Sequence, residues 1–234
     1  MNPTPEVLAM LDPRCAAVLE RLYAEAENQP PPDLFEGAGD GLETVPVGAA
    51  FTAEQTRALD DQFMTLEKDQ AAFCYLQARA TRARTVVEFG TSFGLSTIWL
   101  AAAVRDNGGG VVIGTERVAR KAEQARVNLR EAGLEQYVDI RLGDARETLR
   151  DLDGPVDLLL NDGFPDVALD VHRVVTPALR PGALVITDNV GLMPDHYGPY
   201  LAFLRDPANG FISVQLPFHG GTEVSVRISP SPEI

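Results

Sequence analysis

The chain has 234 residues, and its 34 acidic and 20 basic side chains give a formal net charge of −14 at pH 7. This surplus argues against a protein that binds nucleic acid or an anionic membrane, because both kinds of binding need basic surface. A hydrophobic content of 45% and a charged content of 23% are typical of a globular domain. We find neither the ~18 unbroken apolar residues of a membrane helix nor the pattern of a secretory signal. Two cysteines are too few for a disulfide framework, and the sequence therefore predicts a cytoplasmic protein.

The first fifty residues differ in composition from the rest of the chain. They hold nine acids and two bases, which leaves them a net charge of −7. Asp12 and Pro13 have the pattern of an N-cap and a first helical residue, and apolar residues at helical spacing predict a helix from Pro13 to Glu27. The proline-rich and glycine-rich stretch that follows predicts a mobile connection. We expect an N-terminal helical extension and mobile loop in residues 1–50, and one domain in residues 51–234.

Two further helices are predicted before the first strand. Thr52 and Gln55 have the spacing of a capping box, and the apolar residues from Leu59 to Leu66 continue the pattern as a helix. Another helix is predicted from Asp69 to Ala80.

From residue 85 onward the chain alternates short apolar runs with helical segments. Runs that are apolar throughout are expected of strands buried on both faces of a parallel sheet, with the helical segments as crossovers. The last two runs are separated by a short turn around Gly220 and Gly221, which predicts an antiparallel hairpin that closes the sheet. The sequence predicts a doubly wound α/β fold, with strands at 85–89, 111–115, 137–142, 156–160, 183–187, 211–216 and 223–228.

Acidic residues stand at the carboxyl end of each of the first five predicted strands. Ligands of open α/β sheets bind at this edge, and like charges repel unless something cationic lies between them. The alternative is that one or two of these acids cap the helices that follow. The sequence therefore predicts a cation-binding edge formed by Glu88, Glu116, Asp144, Asp162 and Asp188.

Residues 88–96, with the sequence EFGTSFGLS, have the pattern of a ligand-binding loop. The two glycines allow a tight turn close to a ligand, and the next helix offers free N–H donors. A dinucleotide-binding loop would have a glycine where Glu88 stands, which argues against a dehydrogenase. The acid Glu88 is suited to bind a ligand with an ammonium group. Glu116 is positioned to accept hydrogen bonds from two ribose hydroxyls, and the turn at 143–145 would flank a base. An adenosine that carries an amino acid fits all three positions, which points to S-adenosylmethionine.

Taken together, these motifs resemble the class I methyltransferases of the catechol and caffeoyl-CoA O-methyltransferase group. The resemblance rests on the loop at 88–96, the turn at 143–145, Asp162-Gly163 and Asp188-Asn189, and it covers residues 64–228. It implies a seven-stranded sheet with a reversed last strand, and an O-methyltransferase that uses S-adenosylmethionine. The cofactor-binding residues that it implies are Glu88, Gly90, Thr91, Ser92, Ser96, Glu116, Asp144, Ala145 and Asp162.

The same resemblance implies a magnesium ion held by Asp162, Asp188 and Asn189, with Asp162 as the catalytic residue. Mg²⁺ prefers oxygen ligands and is usually held by one or two carboxylates, which agrees with two aspartates at the ends of neighbouring strands. The alternative for Asp188 and Asn189 is a strand-to-loop turn with local side-chain capping. The predicted methyl acceptor is a small hydroxylated molecule such as a catechol, an enol or a carboxylic acid.

One position departs from the family pattern. The family has a general-base lysine three residues after the first metal-binding aspartate, and this chain has Pro165 there. Proline cannot accept a proton, so three explanations are open. The metal alone suffices for an acidic hydroxyl, another group such as His196 or Asp166 takes the proton, or the reaction is weak or altered. The first is the explanation that the sequence favours.

The substrate pocket is expected to include residues 193–200 as a lid loop, with His196 and Tyr197 as substrate contacts. Glu223 falls where the family has an acid that can meet the substrate. The alternatives are a surface histidine without a ligand and a solvated acid on an edge strand. The expected partners are a small-molecule substrate and a second copy of the chain in a homodimer.

Two other functions are open on the sequence alone. Asn161 ends the fourth predicted strand where amino-methylating enzymes carry an Asn-Pro-Pro-aromatic turn, although both prolines are absent here. The second alternative is a non-catalytic S-adenosylmethionine-binding protein that lost its base at Pro165. Metal-independent transfer would favour the first, and tight cofactor binding without turnover would favour the second.

Overall fold

A seven-stranded sheet forms the centre of the fold. It belongs to a computed structural model that describes residues 7–30 and 53–228 of the chain. The strands are β1 (Thr85–Phe89), β2 (Val111–Glu116), β3 (Val138–Leu142), β4 (Val156–Asn161), β5 (Leu179–Thr187), β6 (Phe211–Leu216) and β7 (Thr222–Arg227). Their order is β3-β2-β1-β4-β5-β7-β6; the first five are parallel, and β7 is antiparallel to both β5 and β6. The predicted doubly wound sheet with a closing hairpin is confirmed.

Helices cover both faces of this sheet. Val86 and Val87, which are neighbours in β1, belong to two separate apolar cores on opposite faces, so a strand must be apolar throughout. In the described residues the helices are α1 (Pro13–Glu27), α2 (Ala53–Ala58), α3 (Lys68–Ala80), α4 (Leu95–Asp106), α5 (Ala119–Glu131), α6 (Ala145–Thr148), α7 (Pro165–Val175) and α8 (Pro194–Arg205). None of these described helices has the length and the apolar content that crossing a membrane requires.

Helix α1 has the bounds that the sequence predicts, but it is not a solvated extension. Leu19 is fully buried in the same core as α4, and two arginines hold α1 to the end of α5. Arg14 Nη2 donates to the Glu131 carbonyl at 3.1 Å, and Arg21 Nη2 lies 2.6 Å from the Glu131 carboxylate. The predicted mobile connection and the capping residue Thr52 fall within 31–52, outside the described residues.

The helix predicted after Thr52 is present as α2, but its predicted continuation to Leu66 is wrong, because α2 ends at Ala58 and the chain is not helical again until α3. Contacts with the α5 region hold this segment instead. Lys121 Nζ donates to the Leu59 carbonyl at 2.9 Å, and the Phe63 ring stacks on Phe93 with centroids 4.1 Å apart. Two aspartates of the segment also form ion pairs there, Asp60 with Arg117 and Asp61 with Arg120.

Candidate cofactor and metal site

The loop at 90–94 lies between β1 and α4 and touches the end of β4. A Cβ atom on Gly90, whose φ is +102°, would lie 2.5 Å from the carbonyl oxygen of Asp162. That approach and that backbone conformation both require glycine. Gly94, at φ +86°, then begins α4. The loop therefore places the amino end of α4, with its free N–H donors, beside the end of β4.

Glu88 organises this loop. It lies inside β1, not at its end, and it is fully buried. Its carboxylate accepts hydrogen bonds from three hydroxyl groups, and burial raises its pKa although these bonds oppose the shift. The donors are Thr91 Oγ1 at 2.9 Å, Ser96 Oγ at 2.7 Å and Thr97 Oγ1 at 2.5 Å. The oxygens of Glu88 bond to the hydroxyls of the loop and of α4, and the contact with a ligand ammonium group stays a prediction.

Glu116 connects the loop at 90–94 to the segment that follows β2 and to the turn that follows β3. Its Oε2 accepts from the Ser92 N–H at 2.9 Å, and its Oε1 accepts from the Val118 N–H at 2.8 Å. Its carbonyl oxygen accepts from the Gly143 N–H at 2.9 Å. Each carboxylate oxygen has a further lone pair for a ligand hydroxyl. The structure thus brings together the three segments that the sequence predicted to bind one nucleoside.

Asp144 fits the helix-cap alternative. Its side chain accepts from the Arg146 N–H at 2.9 Å at the start of α6, and it also pairs with the Arg146 guanidinium at 2.6 Å. The hydrogen bond from Arg146 lowers the pKa of the Asp144 carboxyl. Ala145, which follows it, is buried. Asp144 is therefore already neutralised and contributes less to a cation-binding edge than the sequence predicted.

Asp162 and Asp188 follow the ends of two paired strands, β4 and β5. Burial, then the charges of Asp188 and Glu88, raise the pKa of Asp162 well above its ordinary value. Burial raises the pKa of Asp188 to about 6. Within the described ranges, neither carboxylate forms an ion pair with a basic side chain. Asp188 is buried and Asp162 is half-buried. Two neighbouring acids in such a place, without a basic partner among the described residues, favour either a shared proton or a bound cation.

Gln70 is the residue of this site that the sequence did not indicate. From the first turn of α3, its Nε2 donates to Asp188 Oδ1 at 2.6 Å, to the His219 carbonyl at 3.0 Å and to Thr222 Oγ1 at 3.0 Å. Its Oε1 accepts from the Glu67 N–H at 3.2 Å, as part of a capping box. The sequence carried a signal for that cap but none for the contact with Asp188, which is 118 residues away.

The donor set at the ends of β4 and β5 fits a small oxygen-binding cation. No group of three or more His, Cys, Asp or Glu side chains with metal-binding geometry occurs among the described residues. The predicted ligands are two carboxylates and the amide of Asn189. Mg²⁺ in proteins is usually held by only one or two carboxylates, and water or substrate fills its other positions. Asn189 has a left-handed backbone, with φ +61°, and its Oδ1 lies against Gly220. Asp188 Oδ1 accepts hydrogen bonds from Gln70 and from Thr222.

The segment 193–200 is the start of a helix and not a lid loop, which corrects the prediction. Pro194 takes the first position of α8, where a missing N–H has no cost. His196 lies in its first turn, with a side chain that is 6% exposed and an Nδ1 atom 3.2 Å from Asp166 Oδ1. Tyr197 is 2% exposed and packs edge-on against Tyr200. Tyr197 therefore belongs to the core beneath the site.

Glu223 does not join the acids at the edge. Strand β7 lies between β5 and β6, so it is not an edge strand, and Glu223 is fully buried. Arg205 of α8 binds its carboxylate with two bonds, Nε at 2.9 Å and Nη2 at 2.6 Å. Ser213 Oγ donates to the same carboxylate. The predicted substrate contact is corrected to a structural ion pair between helix and sheet.

Two further residues bear on the alternatives. Asn161 is fully buried, and its Nδ2 donates to the Ala168 carbonyl of α7 at 3.1 Å. This bond anchors the amide nitrogen of Asn161 to α7, and the N-methyltransferase alternative stays a prediction from the sequence. Pro165 is buried at the first position of α7.

Comparisons with known proteins give consistent matches. Residues 87–190 match a family profile described as a methyltransferase domain. A catechol O-methyltransferase from Mycobacterium tuberculosis is 37% identical over 128 residues, which are 54% of this chain and 57% of that relative. The chain thus spans little more than half the length of this curated relative.

Two solved structures share the fold over most of their length. Cofactor-bound Rv0187 from MTB is 25% identical, with a TM-score of 0.67 over 92% of this chain and 90% of the other. The O-methyltransferase TomG from Streptomyces achromogenes, in complex with S-adenosylmethionine, is 25% identical, with a TM-score of 0.64 over 74% of this chain and 86% of TomG.

Proposed function

We propose that this chain is a class I methyltransferase of the catechol O-methyltransferase-like group, and that it transfers a methyl group from S-adenosylmethionine to a hydroxyl oxygen of a small molecule. The observation that carries the proposal is the acid pair Asp162 and Asp188, held beside the glycine loop without a basic partner in the described residues. The activity named for the Mycobacterium tuberculosis relative, and the cofactor named for TomG, support the same reaction.

The proposed cofactor site is formed by the three segments that hydrogen-bond to Glu116. Glu116 binds the two ribose hydroxyls through the lone pairs that its bonds to Ser92 and Val118 leave free. The loop at 90–96 lines the methionine portion, and the 144–145 turn lines the adenine. Hydrogen bonds to Glu88 hold the loop in shape, so little conformational entropy remains to be lost on binding.

A divalent cation, with Mg²⁺ as the first choice, is proposed to bind Asp162, Asp188 and Asn189. The reason is electrostatic, since a cation compensates two carboxylates whose pKa values are raised, that of Asp188 by burial and that of Asp162 by burial and by the charges of Asp188 and Glu88. When bound, the cation would supply a Lewis acid that lowers the pKa of the acceptor hydroxyl and orients it. The chain's own part is to fix the two carboxylates, and Gln70 does this for Asp188.

The acceptor is proposed to be a small hydroxylated molecule of the catechol, enol or carboxylic acid class. Among the residues predicted to contact it, Tyr197 and Glu223 are buried, and a contact with His196 stays a prediction. The homodimer and the cytoplasmic location stay predictions from the sequence.

Transfer of a labelled methyl group from S-adenosylmethionine to a panel of catechols, enols and carboxylic acids tests the proposal. We expect turnover with Mg²⁺, loss of turnover with EDTA, and recovery when Mg²⁺ is added back. Asp162→Asn and Asp188→Asn should each lower turnover at least ~100-fold, because each removes a charge that holds the cation. Asp153→Asn, at an exposed position in the connection before β4, is the matched control.

Each contradicting result has a separate meaning. Turnover that EDTA does not affect would overturn the metal site but not methyl transfer. Calorimetric binding of S-adenosylmethionine without turnover on any acceptor class would overturn the enzyme and support a non-catalytic binding protein.

A further inference from the structure

The sheet has two outer strands, β3 and β6, and they differ in chemistry. Each pairs with a neighbour on one side only, so the backbone N–H and C=O groups along its outer side have no partner strand among the described residues. Such an edge is a template for pairing with another chain, and proteins protect it with charged residues, prolines or bulges. Comparison of the two edges therefore indicates which side of the sheet can meet a second chain.

Strand β3 has the features of a protected edge. It carries Asp139 and Arg141, and Arg141 Nε donates to Asp139 Oδ2 at 2.9 Å. Arg141 also ties the strand to α6, because its Nη1 donates to the Thr148 carbonyl at 2.8 Å. These charged groups would lose water if another strand paired here, so this edge opposes pairing.

Strand β6 has none of these features. It has the sequence FISVQL, without a charged residue or a proline, and its six residues pair with β7 in continuous register. Its β-branched and aromatic residues favour an extended strand. An uncharged edge of this composition promotes aggregation when it is left open, so we expect the native protein to cover it.

One face of β6 and β7 is also apolar and open. Residues that alternate along a strand, or that lie opposite each other in an antiparallel pair, share a face. The residues of this open face are Ile212, Val214, Leu216, Thr222, Val224 and Val226. Ile212 is 65% exposed and Val214 is 58% exposed. The opposite face is covered by α8, where Arg205 binds Glu223.

A second copy of the chain fits this surface in charge and in symmetry. The chain has a net charge of −14, so two copies repel each other where acidic surfaces meet. None of the six residues of the open face is charged. In a two-fold arrangement the two β6 strands run antiparallel, and residues directly opposite each other share a face. The two apolar rows then meet, and the outer backbone groups of each strand find partners.

Helix α3 extends this surface beyond the two strands. Phe73 of α3 packs against Phe218, in the turn between β6 and β7, with ring centroids 5.3 Å apart. Leu76 lies one helical turn further along α3 and is exposed. A stable dimer buries about 1,600 Å² in total, which is more than one strand pair supplies. The strand edge would therefore fix the register of the contact, and the open face with α3 would add apolar area.

We propose that β6 pairs with β6 of a second copy across a two-fold axis, so that two seven-stranded sheets join into one. The sequence predicts a homodimer but no surface for it, and the uncharged edge and the open face supply that surface. This inference does not depend on methyl transfer.

Sedimentation equilibrium of the wild type and of lysine variants tests the proposal. The wild type should have twice the mass of the chain over a hundredfold range of concentration. Ile212→Lys and Val214→Lys should each raise the Kd of the dimer at least ~100-fold, because each places two charges in an apolar contact. Leu142→Lys is the matched control, since it makes the same change at an exposed residue of the other edge strand. It should keep the wild-type mass, and all three variants should keep the wild-type circular dichroism.

Amide hydrogen exchange gives a readout that needs no variant. In the wild type the outer amides of β6 should become protected as the protein concentration rises, while those of β3 should keep their exchange rates. A wild type that is monomeric at every concentration would overturn the inference, as would a dimer that Leu142→Lys weakens as much as Val214→Lys. A monomer with protected outer β6 amides would show that another segment of the same chain covers this edge, which also overturns the inference.

Discussion

Gln70 is an uncharged side chain that orients a charged one, Asp188. Its amide nitrogen joins Asp188, Thr222 and the turn between β6 and β7, and the residue is only 3% exposed. The hydrogen bond to Asp188 lowers the pKa of that carboxyl against the larger effect of burial. One oxygen of Asp188 is thereby fixed, so the other points in one direction. The position of Asp188 depends on α3 as well as on the strand that it ends.

Gln70→Leu should weaken binding of Mg²⁺ by about 10- to 100-fold, because it removes the bond that orients a proposed ligand. Unfolding in urea should show a loss of about 1–3 kcal/mol, since two buried acceptors lose their donor. Calorimetric titration of Mg²⁺ in the presence of S-adenosylhomocysteine measures the first effect. Gln77→Leu, a half-buried position on the same helix, is the control and should change neither quantity strongly. Unchanged Mg²⁺ affinity in Gln70→Leu would contradict the orienting role.

Helix α8 is held to the sheet by a mixed set of contacts, which include the ion pair Arg205–Glu223. Glu223 is completely enclosed, while the Arg205 side chain is 46% exposed. Such a pair adds little net stability, but removal of one partner leaves a buried charge without compensation. The pair therefore fixes the last turn of α8 to β7.

Arg205→Met should lower the free energy of unfolding by about 3–5 kcal/mol, because Glu223 is left buried without its cation. The double variant Arg205→Met/Glu223→Gln should recover most of this loss, which a double-mutant cycle in urea would measure. Arg146→Met is the matched control, because its ion pair with Asp144 is exposed on both sides and should contribute less than about 1 kcal/mol. Equal losses in the two arginine variants would refute the argument.

Across the whole molecule, the buried titratable groups make stability depend on pH in both directions. Burial raises the pKa of acids such as Glu88, so their contribution to stability falls as pH rises. His172 acts in the opposite sense. It is fully buried among aromatic rings, and burial, with the charges of Arg227 and Arg173, lowers its pKa from 6.5 to about 4.

Between pH 6.5 and about 4 the unfolded chain binds a proton at His172 that the folded chain does not. The contribution of His172 is therefore complete above pH 6.5 and falls by about 3 kcal/mol as the pH is lowered to 4. His172→Leu should flatten this part of the profile of unfolding free energy against pH, whatever its effect on stability at neutral pH. His219→Gln, which changes an exposed imidazole, should keep the wild-type slope. A parallel slope in His172→Leu would contradict the assignment.

Local patterns determined the class of fold and most of the elements. The bounds of β1 and α1 agree with the prediction because an apolar run, helical periodicity and an N-cap are properties of a few consecutive residues. The acids at the strand ends could be predicted to share an edge because parallel strands all end there. The comparisons confirm the resemblance to class I O-methyltransferases that the loop at 88–96 indicated.

Tertiary structure alone decided what each acid does and which helices form the core. The partners of Asp188 and Glu223 lie on other elements, as does the partner of His196, so spacing in the chain carries no signal for them. Helix α1 looked like an acidic extension because its charges are visible in the sequence, whereas its packing against α4 is not. Sequence thus placed the acids at one edge, and packing determined which of them cap a helix, brace a loop or lie together where a cation can bind.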